Sequence, residues 1–317
     1  MSQKINIKKI ATFIAINYSF CITIYIILKM INLDFSDRIT AFVVAFVYMP
    51  TPAISAFIVQ KLIYKDKLQK LGLSFYKNTL KNFLLIILIM LSIILITTLI
   101  IYLFGNLDII ENFGKLNFSE DFFKSNILDL LKEKGIDKTK SHIILNLISG
   151  INPIIIYFFL LIEGILIGGI FNIPFVFGEE FGWRGFLLNE TKPLGFWKSS
   201  LIIGIIWGIW HIPLVLLGLN FSDHPYLGCI IMIIFTISLS PLFMYARLKT
   251  KSILGSCLLH GMINGTAGIF TYFVSDSNEL LSTLPGFAGI FSIIIVSIIV
   301  FLKDKKFTEN YAKYFDN

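Results

Sequence analysis

The 317-residue chain is 56% hydrophobic and only 15% charged, with a mean hydropathy of +0.80. A soluble domain carries about 25% charged residues, so this composition excludes an ordinary soluble domain. The net charge of +7 follows membrane topology, as argued below, and no nucleic-acid partner is expected. The three cysteines lie in apolar runs without CxxC or zinc spacing, so we expect no disulfide framework.

Apolar runs near the roughly 20 residues that a bilayer-spanning helix needs predict an all-α, polytopic bundle of about eight spans. In chain order they cover approximately residues 10–30, 39–62, 83–104, 153–177, 199–219, 226–245, 252–274 and 285–302. The first run is too long for a signal peptide and is interpreted as a retained helix. The second contains Met49-Pro-Thr-Pro-Ala53, where two prolines should kink or unwind it. The fourth carries an isolated Glu163, to which no role is assigned.

The distribution of basic residues predicts the orientation of these spans. With the N-terminus in the cytoplasm, 19 of the 27 Lys and Arg residues fall on the inner side, which agrees with the positive-inside rule. Both termini and the Lys61–Lys81 connection should then be cytoplasmic, and the 105–150 loop should be outside. The inner residues are Lys4, Lys8, Lys9, Lys61, Lys65, Lys67, Lys70, Lys77, Lys81, Arg184, Lys192, Lys198, Arg247, Lys249, Lys251, Lys303, Lys305, Lys306 and Lys313.

The long outer loop contains the pattern of one amphipathic helix. Ser119 can cap it, Glu120 and Asp121 follow in its first turn, and apolar residues from Phe123 to Leu131 share one face. Such a helix would lie on the outer membrane surface or cap the bundle. The sequence thus divides into N-terminal spans with the outer loop (1–149), a motif-bearing core (150–274), and a last span with a cytoplasmic tail (275–317). The Ile-, Lys-, Asn- and Phe-rich composition suggests the cytoplasmic membrane of a low-GC bacterium.

The fourth run ends in Glu179-Glu-Phe-Gly-Trp-Arg184, a costly set of charges for a membrane segment unless they are paired or used. Glu180 and Arg184 are four residues apart, so on a helix they share a face and can pair. Glu179 is rotated roughly 100° from its neighbour. Its carboxylate is therefore free to face another group.

Two later spans supply candidate partners. His211 lies in the fifth run, and His260 lies four residues before Asn264 in the seventh, so that both project from one face. Helix rise puts His211 at most about 20 Å from Lys198 and His260 at most about 13 Å from Lys251. Both histidines should therefore lie in the cytoplasmic half or the middle of the bilayer, near the level of Glu179.

Together these groups suit peptide hydrolysis. A carboxylate in a partly apolar cavity can act as a general base, and a histidine beside it can help to orient a water molecule. A second imidazole and an amide can donate to a developing oxyanion. There is no GxSxG sequence, and nothing marks Cys257 as an activated nucleophile.

Taken singly, each group also has a structural interpretation. A membrane histidine can serve as a hydrogen-bonding group, Asn264 as a helix–helix contact and Glu180–Arg184 as an ion pair. Trp207 and Trp210 can be packing aromatics. The occurrence of a Glu-Glu pair, a His and a His-x-x-x-Asn on three spans is what favours a site.

In this order the motifs resemble those of the CPBP (Abi) family of intramembrane proteases, which includes the CAAX prenyl endopeptidases. Glu179 to Arg184 reads as EExxxR, Trp207 to His211 resembles FxxxH with Trp for Phe, and His260 to Asn264 reads as HxxxN. The motif-bearing region covers about residues 150–270. The one departure keeps an aromatic residue one turn from His211.

The resemblance implies an eight-span helical bundle and an endopeptidase site that opens toward the cytoplasm. It implies that Glu179 and His211 activate water, that His260 and Asn264 stabilise the oxyanion, and that Glu180 and Arg184 support the site. No cofactor is expected. A zinc-dependent version, with Glu179, His211 and His260 as ligands, stays open as the alternative, although the HExxH pair of many zinc proteases is absent.

Two other classes compete with the protease. One is a non-catalytic membrane protein of the same fold, such as a bacteriocin immunity factor or a scaffold. The other is a transporter, in which broken helices and midplane charges also occur, although the chain shows no evident internal repeat. The expected partners of the protease are the lipid bilayer and a membrane-associated peptide or protein, either a prenylated CAAX tail or a leader or membrane-anchored peptide. The sequence does not specify an oligomeric state.

Overall fold

The computed structural model describes residues 5–35, 38–68, 72, 79–133 and 135–315. Its helices are α1 (Ile7–Met30), α2 (Ile39–Ile63), α3 (Leu80–Asn106), α4 (Glu120–Glu133), α5 (Lys138–Ile148), α6 (Pro153–Phe171), α7 (173–191), α8 (Phe196–Val215), α9 (Pro225–Thr250), α10 (Ile253–Phe273), α11 (Phe287–Lys303) and α12 (Lys305–Glu309). Two short strands, β1 (Lys115–Leu116) and β2 (Val274–Ser275), pair antiparallel.

Seven of these helices are long and apolar enough to cross a membrane, namely α1, α2, α3, α6, α8, α9 and α10. The predicted eighth span is α11, which is apolar but shorter, with 17 residues. Inside a bilayer only a helix satisfies every backbone N–H and C=O of a single segment. The prediction of an all-helical, polytopic membrane bundle is confirmed.

The α3 helix shows how a uniformly apolar sequence still acquires two faces. Leu84, Leu88 and Leu95 are exposed on the outside of the bundle, whereas Met90 and Ile94 on the other side are fully buried. In water such a helix would need a polar face, but lipid tails are as apolar as leucine. The exposed leucines are therefore consistent with a lipid-facing surface.

Every second connection between the membrane helices lies at one end of the bundle, which is called the basic end here. The Lys9 ammonium donates to Asp66 at 2.8 Å and to Glu190 at 2.7 Å, so it joins α1 to the residues after α2 and to the end of α7. Ile253 N donates to Gly72 O at 2.9 Å. The other residues of the predicted inner connection between 69 and 78 lie outside the described part of the chain.

The opposite end, called the loop end, gathers the remaining connections. Phe35 N donates to Leu217 O at 2.9 Å, and β1 of the long loop pairs with β2 after α10. The backbone N–H of His224 donates to the Glu279 carboxylate at 2.8 Å. Successive connections thus lie at opposite ends of the bundle. This alternation is what eight membrane crossings require, if α6 and α7 together form one crossing.

The fourth predicted segment is one crossing but not one regular helix. Residues from Pro153 to the motif were expected to form a single run, whereas regular helix ends at Phe171 and begins again at Ile173. Pro174 lies in the first turn of α7. Because proline has no N–H to donate to the carbonyl four residues earlier, it interrupts the hydrogen-bond ladder here.

The break predicted in α2 is present, and α7 packs directly against it. Regular helix is interrupted at Met49–Pro50. A Cβ atom on Gly178 would lie 2.7 Å from both Met49 O and Pro50 Cα, and one on Gly182 would collide with Pro52. The two glycines, four residues apart on one face of α7, therefore permit backbone contact immediately beside the two glutamates.

The predicted amphipathic helix of the long loop is α4. Phe122 N donates to the Ser119 hydroxyl at 3.4 Å, as expected of a helix cap. Phe123 is buried and stacks on Phe273 at the end of α10, with ring centroids 5.2 Å apart. Of the two placements left open by the sequence, this contact supports capping of the bundle.

A second helix of the long loop, α5, was not predicted. The Asp137 carboxylate accepts from Lys140 N at 3.0 Å at its start. This backbone hydrogen bond is the main cause that holds the pKa of the Asp137 carboxyl below its ordinary value. An Asp before Lys138-Thr-Lys is a helix-start signal that the sequence did contain.

Candidate active site

Glu179 and Glu180 lie in the middle of α7 and are almost completely buried, with 2% and 0% of their surfaces exposed. Buried carboxylates are costly unless other groups hydrogen-bond to them or compensate their charge. Because the two residues are consecutive on a helix, their side chains leave α7 in different directions. Each carboxylate consequently has its own set of partners.

Glu180 accepts hydrogen bonds from two charged or ionisable groups at one oxygen. Arg184 Nη1 donates to Glu180 Oε1 at 3.1 Å, so the pair predicted from the four-residue spacing is present. His260 Nδ1 lies 2.8 Å from the same Oε1. Sequence reasoning missed this second contact, because nothing in the local pattern reports a partner that is 80 residues away.

Glu179 has a partner in Trp207, which the sequence predicted as a supporting aromatic residue of the site but not as a hydrogen-bond donor. The indole Nε1 of Trp207 donates to Glu179 Oε2 at 2.9 Å. A phenylalanine, which stands at this position in the family motif, has no such donor. The departure from the motif therefore adds a hydrogen bond to the carboxylate that is the candidate base.

The Arg184 guanidinium is held between two aromatic rings. Its central carbon lies 4.2 Å from the ring centroids of both Trp207 and Phe243. Cation–π contacts gain strength when the cation is removed from water, and Arg184 is only 1% exposed. Trp207 thus contacts Glu179 through its N–H and Arg184 through its ring face.

His211 is oriented by its own helix. Its Nδ1 lies 2.9 Å from Trp207 O, and because a carbonyl oxygen only accepts, Nδ1 is the donor. In the neutral imidazole Nε2 is then an acceptor. Its position in α8 corrects a prediction: His211 lies about 22 Å from the helix start at Phe196 and only about 6 Å from its end at Val215. It is therefore in the half of the bundle near the loop end, not in the half near the basic end.

A cavity of about 300 Å³ brings the candidate residues together. Its polar lining includes Glu179, His211, His260 and Asn264, and Trp207 forms part of the wall. Apolar side chains from α2, α8 and α9 supply much of the remainder, including Met49, Leu214, Met232, Phe235 and Leu239. Cys257 is fully buried and is not among the lining residues, so its thiol does not face this space.

The donor atoms do not fit the zinc alternative. Among the described residues, no group of three or more His, Cys, Asp and Glu side chains is placed to hold a metal ion. Glu179, His211 and His260 line the same cavity but do not form a ligand set of this kind.

The apolar helices, with a Glu/His site in the cavity between them, define an integral membrane protein. Residues 150–266 match the family model described as type II CAAX prenyl endopeptidase, Rce1-like. All seven candidate residues, from Glu179 to Asn264, lie inside that region. Over this region the chain is similar to the Rce1-like (CPBP) type II CAAX prenyl endopeptidases.

A curated relative shows the same similarity. The chain is 25% identical over 138 residues to CAAX prenyl protease 2 of Methanococcus maripaludis. That similarity covers 40% of this chain and 46% of the relative. The chain thus matches less than half of the relative's length, and the first three membrane helices lie outside the matched family region.

Proposed function

We propose that the chain is an intramembrane endopeptidase that hydrolyses a peptide bond of a membrane-associated peptide or protein. The observation that carries this proposal is the convergence of Glu179, His211, His260 and Asn264 on one cavity. The match of residues 150–266 to the endopeptidase family model adds support.

Glu179 is the proposed general base. It takes one proton from a water molecule, and the water oxygen attacks the carbonyl carbon. His211 Nε2 orients the water by accepting a hydrogen bond from its other O–H group. The hydrogen bond from His211 Nδ1 to Trp207 O supports this role, because it leaves Nε2 free to accept. Glu179 then transfers its proton to the leaving nitrogen as the C–N bond breaks, giving a carboxylic acid and an amine.

His260 and Asn264 are the proposed oxyanion donors. Preorganised donors aimed at a developing oxyanion are among the largest contributions to acyl-transfer catalysis. His260 donates to the oxyanion from Nε2, so Nε2 must carry a proton. A second proton is then shared between His260 Nδ1 and Glu180. Arg184 compensates the Glu180 charge, so both residues act on the reaction through His260.

The proposed substrate has an apolar segment beside the scissile bond. The cavity wall is rich in aromatic and aliphatic side chains, which suits a membrane-anchored peptide. A relative bears the name CAAX prenyl protease 2, so a prenylated CAAX peptide is one candidate and an unmodified leader or membrane-anchored peptide is the other.

The test is cleavage by purified chain in lipid of two quenched-fluorescent peptide sets, one prenylated at a CAAX cysteine and one unmodified and apolar. Glu179→Gln should lower the rate at least about 100-fold, the usual contribution of a general base, with folded yield unchanged. Glu180→Gln should lower both stability and rate, because it disturbs the Arg184 and His260 contacts together.

Folded protein is quantified by size-exclusion chromatography, so that each rate refers to native enzyme. Equal rates for wild type and Glu179→Gln would remove Glu179 from the mechanism. Two results together would favour the non-catalytic immunity or scaffold class. Neither peptide set would be cleaved, and the membrane proteomes of cells carrying wild type or Glu179→Gln would not differ.

A further inference from the structure

The cavity reaches only one end of the bundle among the described residues. Besides the candidate catalytic groups, its lining includes residues from three connections at the loop end. They are Phe35 after α1, Leu219 and Asn220 after α8, and Leu284 and Pro285 before α11. Asn220 is exposed, and Phe35 and Leu219 are partly exposed, so these three residues mark the mouth of the cavity, whereas Leu284 and Pro285 are buried.

Toward the basic end, buried side chains on α7, α8, α9 and α10 close the cavity. One turn beyond the lining residues stand Arg184 on α7, Ile203 on α8, Phe243 on α9 and Cys257 on α10. Each of these is at most 1% exposed. These residues form the floor of the cavity. The rings of Trp207 and Phe243, which contact the Arg184 guanidinium, strengthen it.

The charge distribution assigns the two ends to the two sides of the membrane. The connections that meet at the basic end belong to the set that holds 19 of the 27 Lys and Arg residues. Short connections rich in Lys and Arg stay in the cytoplasm. The mouth of the cavity is at the other end, so the two expectations drawn from the sequence, termini in the cytoplasm and a site open to the cytoplasm, are incompatible in this fold.

We infer that the substrate reaches Glu179 from the outer face of the membrane. The substrate is then a peptide whose scissile bond lies in the outer leaflet or beyond it, such as an exported peptide still anchored by an apolar segment. A tail presented by a cytosolic protein does not meet the mouth. The identification of the occupant as a substrate rests on the proposed function, whereas the direction of access does not.

The test uses a variant in which Cys21, Cys229 and Cys257 are replaced by alanine, so that single cysteines can be added. Asn220→Cys places a thiol at the mouth and Phe235→Cys places one on the cavity wall. Lys198→Cys, exposed near the start of α8, is the matched control at the basic end. A small, membrane-impermeant methanethiosulfonate reagent is added to intact cells and to inside-out vesicles.

Asn220→Cys and Phe235→Cys should react in intact cells, and Lys198→Cys should react only in inside-out vesicles. The reverse pattern would overturn the inference by showing that the mouth faces the cytoplasm. Reaction of Asn220→Cys from outside combined with reaction of Phe235→Cys only from inside would overturn it too, since the cavity would then be entered through its floor.

Labelling needs no turnover, so this result is independent of catalysis. If labelling occurs as expected but Glu179→Gln cleaves as fast as wild type, the proposed mechanism fails and the direction of access stands. If Glu179→Gln is inactive but labelling is reversed, the mechanism stands and the inference fails.

Discussion

Trp207 links the candidate base to the floor of the cavity. Its indole N–H donates to Glu179, and its ring face contacts the Arg184 guanidinium. It also supplies the carbonyl that orients His211. One residue therefore contacts three of the groups around the proposed reaction centre, although it is proposed to position them rather than to touch the substrate carbonyl.

Trp207→Phe removes the donor and keeps a ring. The Glu179 carboxylate then loses the donor that fixes its position, and because misplacement of a catalytic group can cost about 100-fold in rate, kcat should fall by up to about 100-fold. KM should change little, because the indole N–H contacts Glu179 rather than the bound peptide. The measurement is steady-state cleavage of the best peptide of the panel, normalised to folded protein.

Trp210→Phe is the matched control for this change. It also loses an indole donor on α8, but that donor bonds the Thr51 hydroxyl at 3.3 Å. The control should retain a higher kcat than Trp207→Phe. Equal losses in the two variants would mean that the effect arises from packing of α8 and not from the Glu179 contact.

At the scale of secondary structure, α6 and α10 pack through glycines on both helices. A Cβ on Gly261 would collide with Gly169 O, and one on Gly168 would lie 2.9 Å from Gly265 Cα. Small residues at such crossings let helix backbones approach closely in membranes. Because Gly261 follows His260 directly, this crossing also determines where the imidazole lies.

Gly261→Ala should push the two helices apart. Overpacking of a close contact costs about 1–3 kcal/mol, so the variant should melt at a lower temperature and cleave more slowly. Gly268→Ala, nearer the C-terminal end of α10, is the control, because no atom lies within 4 Å of the position of its added Cβ. Thermal unfolding in detergent that fails to separate the two variants would contradict this account of the crossing.

For the whole molecule, the features that the sequence predicted correctly are those that depend on local residue type and spacing. Apolar length predicted the spans, the proline pair predicted the break at Met49–Pro50, and the four-residue spacing predicted the Glu180–Arg184 contact. Contacts between distant segments could not be predicted, because the approach of His260 to Glu180 depends on how α7 and α10 pack. The direction in which the cavity opens depends on the whole bundle in the same way.

The long loop is the part of the molecule in which the sequence left two placements open, and it yields the last prediction. In α4, Phe123 is 3% exposed and stacks on Phe273, while Asn126 donates to Thr271 O. These contacts attach the loop to the end of the helix that carries His260 and Asn264. A helix that merely rested on the membrane surface would bury Phe123 in lipid instead.

Phe123→Ala should therefore destabilise the bundle by about 3–5 kcal/mol, the usual cost of truncating a buried phenylalanine. Its neighbour Phe122 is only partly buried, so Phe122→Ala should cost less. Thermal unfolding and limited proteolysis of the loop in detergent, where no bilayer surface remains, measure the difference. Equal melting temperatures for the two variants would place the apolar face of α4 on lipid rather than on α10, and cleavage at low temperature should survive in both because neither residue lines the cavity.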